Sequence, residues 1–157
     1  MTITKRRGFT LLEGIICMSI LAVLSAIGAP TLSESLRKRE TQGAADQFMA
    51  THSLARATAV RFGRVAEFNI SPSGKKFWVE VDTSATGIGQ RAVVGYQRKL
   101  DLNTGLTMSS NRTKVCFDAR GIAISSATCE AGNLQAIFTM TGVADTVNVT
   151  VLGKVLR

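Results

Sequence analysis

Twenty consecutive residues, 14 to 33, carry no charge, and they are bracketed by Glu13 and Glu34. As a helix rising about 1.5 Å per residue, such a run just spans the roughly 30 Å hydrocarbon core of a bilayer. Directly before it stands KRRGFTLLEG, residues 5–14: three cations, a glycine, then apolar residues with one carboxylate among them. A lone carboxylate in apolar surroundings is costly unless it is paired. Glu13 is therefore the residue that any reading of this N-terminus has to explain.

The chain has 157 residues, about one domain's worth. Beyond the apolar run, roughly 95 to 125 residues remain, enough for one modest core. The net charge is +8, of which Lys5, Arg6 and Arg7 supply three. The remaining excess permits contact with an anionic polymer or lipid headgroups without demanding either. A single histidine, His52, argues against a conventional metal site or a histidine-based triad, and no Cys-x-x-Cys motif occurs. No catalytic residue, metal or cofactor is expected. Of the three cysteines, Cys17 lies in the apolar run as a small hydrophobe, whereas Cys116 and Cys129 are the natural pair if the body faces an oxidising compartment.

Past Gly28, Ala29 and Pro30, where a kink is expected, a second helical pattern begins. Thr41, Ala45, Phe48, His52, Ala55, Ala59 and Phe62 recur at spacings of four and three, and Arg37, Lys38, Glu40, Asp46, Arg56 and Arg61 fall off that stripe. The stripe is narrow and rich in small side chains, which suits close packing on a sheet or on neighbouring helices. Gly63 is the expected stop. The period then becomes two: residues 66–70 and 77–81 alternate around the turn SPSGKK, and further strand-like runs are 93–100, 114–118, 121–125, 136–140 and 146–155. Asp118 to Gly121 read as a tight turn between the second and third of these five further runs, and 85–90 and 102–112 read as loops. The expected fold is α+β, a long kinked N-terminal helix packed on a mainly antiparallel sheet domain.

One plain reading of the N-terminus is a secretory signal, with Ala26, Ile27 and Gly28 as the cleavage triplet. Another is an uncleaved anchor. Both leave Glu13 unexplained. Gly8, Phe9, Thr10, Leu11, Leu12 and Glu13, preceded by the three cations, resemble the processing site of type IV prepilins and type II secretion pseudopilins. The resemblance implies that a membrane-embedded prepilin peptidase cuts between Gly8 and Phe9 on the cytoplasmic side and methylates the new amine of Phe9. It implies that Glu13, fifth in the mature chain, is the charge partner of that amine and registers subunits during assembly. It also implies a division into a leader (1–8), a transmembrane and filament-core half of the helix (9–33), an amphipathic half (34–63) and a β-rich head (64–157). The leader's charges favour a head on the far, oxidising side of the membrane, where a Cys116–Cys129 disulfide is reasonable. The implied partners are the peptidase and N-methyltransferase, inner-membrane lipid before assembly, and other pilins or pseudopilins in a helical filament.

The ending VNVTVLGKVLR and the segment KVCFDARGIA are similar to the minor pseudopilin H and FimT/FimU-like group. Some of that group bind DNA through a glycine, arginine, any residue, arginine tail. Here Lys154 replaces the first arginine, and Arg157 comes one position late, on the opposite face if the tail is a strand. Lys75, Lys76, Arg91, Arg98, Lys99, Arg112 and Lys114 form either a second phosphate-binding set or a solvated surface. His52 reads as packing, and Glu80 with Asp82 as surface charge rather than a carboxylate pair. The expected function is thus a structural, minor, tip-proximal subunit of a type IV pilus. A type II secretion pseudopilin, a DNA-binding competence subunit and a secreted enzyme stand as alternatives.

Overall fold

Residues with strong helical periodicity fold as one element, α1 (Leu11–Phe62), of 52 residues. The computed structural model describes residues 10–73, 75–83, 90–100, 105–125, 129, 132–150 and 153–156, and the side chains of all of these except 27–30. The expected kink at Pro30 falls on residues outside that description, although the helix assignment continues through them. The chain divides into two units, Met1–Leu36 and Arg37–Arg157.

The first unit holds the apolar part of α1, in which Leu11, Leu12, Ile15, Ile16, Met18, Ile20, Leu21, Val23 and Leu24 are all exposed. In the second unit the helix is followed, among the described residues, by nine strands: β1 (Ala66–Ser71), β2 (Lys76–Asp82), β3 (Arg91–Lys99), β4 (Thr107–Ser110), β5 (Lys114–Phe117), β6 (Ala123–Ile124), β7 (Leu134–Met140), β8 (Val143–Val149) and β9 (Val155–Leu156). They form two sheets, ordered β3-β2-β1-β5-β6 and β4-β7-β8-β9, with every pairing antiparallel.

Strand alternation and the helical stripe converge on one core. Phe48 of α1 meets Phe68 of β1, Phe77 of β2 and Phe138 of β7 edge-on, with ring centroids 5.0, 5.3 and 5.6 Å apart. One side chain therefore packs the helix against both sheets. Edge-to-face pairs of this kind add about 0.5–1.5 kcal/mol each beyond area burial. Ala45, Ala55 and Ala59 are fully buried around it, and their small size lets the helix backbone approach the strands. Thr41 and Thr51, also buried, satisfy their hydroxyls on the carbonyls of Arg37 and Gln47, one turn back.

Four details differ from the sequence reading. Phe62, the last residue of the predicted stripe, is 48% exposed, because α1 ends there and the chain turns away through Gly63. Arg56, placed off the stripe, is partly buried and bonded across the fold. The predicted loop 102–112 contains β4, which pairs with β7 and contributes buried Met108; its alternation is only four residues long, too short to outweigh the surrounding turn formers. The run 146–155 is not one strand. β8 stops at Val149, and Gly153 donates to Thr150 O at 2.8 Å, turning the chain so that β9 returns against β8.

Candidate anchoring and assembly sites

The described part of the N-terminal segment begins with a cap. The Glu13 amide donates to Thr10 Oγ1 at 3.3 Å, and the Gly14 amide donates to Thr10 O at 3.2 Å. Thr10 is the N-cap, and Glu13 sits in the first turn, where a carboxylate complements the helix dipole. This local role of Glu13 was legible as Thr-x-x-Glu before an apolar run, and the sequence reading missed it. Downstream, Ser19 and Ser25 donate to the carbonyls of Ile16 and Leu21, so neither hydroxyl asks for solvent. The helix contains an 18-residue window apolar enough to cross a membrane, and none of that window is buried. The predicted cleavage pair Gly8 and Phe9, and the cations Lys5 to Arg7, lie outside the described residues.

In the head, Cys116 and Cys129 are joined in a disulfide with their Cα atoms 5.8 Å apart. Glu67 of β1 lies opposite Cys116 in the sheet register. It is buried, and it takes an ion pair from Lys114 at 2.8 Å and another from Arg91. The ligand atoms of Glu67, Cys116 and Cys129 lie within 4.8 Å of one another. The two sulfurs are bonded to each other and the carboxylate to two cations, so this group is chemically a closed ion-pair and disulfide cluster rather than a metal cage.

Arg56 reaches across the head. Its Nε donates to Gly121 O at 3.0 Å and its Nη1 to Gly153 O at 3.1 Å. Both glycines have positive φ, 75° and 76°, which a side chain adopts only with strain. At Gly153 a Cβ would also stand 3.4 Å from the Arg56 side chain. Around Gly121, Asp118 receives the Ile122 and Arg120 amides at 2.9 Å on Oδ1 and Arg120 Nε on Oδ2. The bond from Ile122, ahead of that from Arg120, holds the Asp118 carboxyl below its usual range.

The basic residues do not form one uncommitted set. Lys114 and Arg91 serve Glu67. Arg112 Nε donates to Asn133 O at 3.1 Å. Lys76 lies over the Trp78 ring at 5.3 Å and Arg98 over the Tyr96 ring at 4.1 Å. Lys76 and Lys99 are register partners across β2 and β3, and Lys75 precedes them in the turn. Lys154 is exposed in the turn before β9 rather than within a strand, and Arg157 lies outside the described residues. Among the other candidates, Glu80 accepts Trp78 Nε1 at 2.7 Å. His52 is buried, packs edge-on against Phe68 and Phe117, and has no hydrogen-bond partner for either ring nitrogen among the described residues. Burial, with the Arg56 charge second, pushes its pKa down to about 4. It is a neutral packing residue at ordinary pH.

A capped apolar helix of membrane length, together with a helix segment laid on antiparallel sheets, defines the class of pilins and pseudopilins. A model of the prokaryotic N-terminal methylation motif matches residues 3–29, and one of the type II transport protein GspH matches residues 44–153. The second match covers well over half of the chain, which belongs to the GspH family. Among solved structures, the type IV minor pilin FimU of Pseudomonas aeruginosa is similar at TM-score 0.58 and 17% identity, over 75% of this chain and 87% of that one. The minor pseudopilin EpsH from the type 2 secretion system of Vibrio cholerae is similar at 0.55 and 14%, over 74% and 94%. At these identities the two structures speak for the fold. Comparison with curated proteins yields no match. Family membership supports a non-enzymatic, structural role.

Proposed function

We propose that the chain is a minor subunit of a type IV pilus, cleaved after Gly8, methylated at Phe9, stored in the inner membrane through residues 9–33, and built near the tip of a helical filament with the head outward. The observation that carries this reading is the exposed, charge-free helix segment behind a single carboxylate at Glu13. A small head cannot bury that segment; lipid before assembly and other helices afterwards can. In this reading the periplasm supplies the oxidising conditions for the Cys116–Cys129 disulfide, and the Phe9 amine supplies the charge partner of Glu13. Mass spectrometry of the membrane-extracted protein tests it. The expected species begins at Phe9 and carries one extra methyl group, and a chain beginning at Met1 or Ala29 defeats the proposal.

The match to a type II transport family favours a second reading, a pseudopilin of a secretion apparatus, with the same N-terminal chemistry. Deleting the gene separates the two: loss of surface filaments supports the pilus, and loss of protein export with intact filaments supports the pseudopilus. DNA contact, on either scaffold, falls to the exposed Lys99 and Lys154. It predicts salt-sensitive duplex binding that is lost in the double variant Lys99→Ala, Lys154→Ala. Absence of binding at low salt removes it.

A further inference from the structure

Ser53, Arg56, Ala57, Val60 and Arg61 of α1 face Arg120 and Gly121 of the β5–β6 turn across an open groove of about 450 Å³. Three of these seven lining residues are arginines, and none of the lining residues given by the described structure is acidic. Arg56 is fixed at the floor by its bonds to the Gly121 and Gly153 carbonyls. Arg120 meets Asp118 through Nε while its side chain stays 78% exposed, and Arg61 lies against the Phe62 ring at 5.6 Å. Between the cations the surface is apolar: Val60 is 55% exposed, and Ile122, beside Gly121, is 42% exposed. The wall is already close-set, since a Cβ at Gly121 would come 3.1 Å from Val60 Cγ2.

We propose that this groove docks an acidic segment of a partner protein, one that presents carboxylates beside an apolar side chain. Planar guanidinium forks match carboxylates in a paired geometry that lysines do not offer, and the groove gathers arginines, whereas the β2–β3 end of the head carries Lys75, Lys76 and Lys99. The Ala57–Val60 surface accepts an apolar side chain, which a phosphate backbone does not supply. No aromatic ring is among the described lining residues to stack a nucleobase, and three cations are few for tracking a nucleic-acid strand. The groove is thus complementary in charge and in polarity to an acidic, amphipathic protein segment.

The test uses the full chain in nanodiscs of neutral lipid. The probe is a soluble peptide of alternating glutamate and valine, compared with the same peptide carrying lysine for glutamate and with a twelve-nucleotide single-stranded DNA. The glutamate peptide is expected to shift the Ala57, Val60 and Gly121 amide resonances. The double variant Arg61→Gln, Arg120→Gln should weaken it at least tenfold, and Lys75→Gln, Lys99→Gln should leave it unchanged. Both arginines are exposed, and Trp78 fluorescence confirms that the head remains folded. No binding, equal binding by the arginine double variant, or tighter binding of the oligonucleotide at the same amides overturns the proposal. None of these outcomes depends on where the mature N-terminus lies.

Discussion

Residues 11–26 and 41–59 belong to one helix, yet they solve opposite problems. The first stretch is the more apolar and is exposed all round: Leu11, Met18, Leu21 and Leu24 are each more than half accessible. The second is poorer in large hydrophobes, but its Thr41, Ala45, Phe48, His52, Ala55 and Ala59 are buried against two sheets. Both stretches settle serine and threonine hydroxyls on their own backbone carbonyls. Hydropathy by itself does not say which part is core. What distinguishes the stretches is whether the apolar residues form a stripe that strands can cover or a full circumference that only lipid or other helices can cover.

The sharpest way to break this contrast is a pair of truncations. Phe48→Ala should destabilise the head by about 3–5 kcal/mol, because it removes the ring that meets both sheets. Leu21→Ala should change head stability by no more than about 0.5 kcal/mol. Urea unfolding of the micelle-bound chain, followed by the fluorescence of its single tryptophan, Trp78, compares them. A Leu21→Ala effect approaching that of Phe48→Ala would show that the two stretches are not energetically separate.

A smaller effect is expected from acid. The folded-state pKa of His52, about 4, lies below its unfolded value near 6.5. The unfolded chain therefore binds the extra proton between those values, and the stability contributed by neutral His52 is complete above about pH 6.5 and lost as pH falls toward 4. The full loss is roughly 3 kcal/mol, at about 1.4 kcal/mol per pKa unit. His52→Phe should flatten the stability profile in that window, and an unchanged slope would place the acid sensitivity elsewhere. Smallest of the three is Thr10→Ala, expected to cost about 1 kcal/mol of local helix stability. Amide exchange at Glu13 should quicken about fivefold, with no change in the head.

How much of this was legible depended on whether a pattern was long. The twenty-residue charge-free run and the four-three spacing from Thr41 to Ala59 each extend over several turns, and both kept their character in the structure. Likewise the Asp118–Gly121 turn was readable, since Asp118 takes amides within its own loop. Short signals failed. β4 is four residues inside a stretch rich in Asn, Thr, Ser and Gly, and its identity as a strand comes from β7 beside it. Gly153 looked like part of a continuous strand because a single glycine does not announce whether it turns. Arg56 falls off the buried stripe by its helical phase, but its long side chain bends around the helix flank to carbonyls 65 and 97 residues away in sequence, which no local pattern encodes. Neither open reading of Lys114 and Arg91, phosphate-binding set or solvated surface, included Glu67, whose burial in the centre of a sheet is a tertiary fact.

The grip of Arg56 on Gly153 also sets a schedule. The bond joins the helix to a residue near the end of the chain, 97 positions later, and the last pairing of the second sheet, β8 with β9, lies beside it. A nascent chain halted before that point can form α1 and hairpin β1–β2 but cannot close this latch. The head therefore reaches its finished state only after nearly all of the chain has been made, long after the apolar part of the helix. The apolar part of α1 depends on no such late contact, because its backbone bonds close within the helix itself.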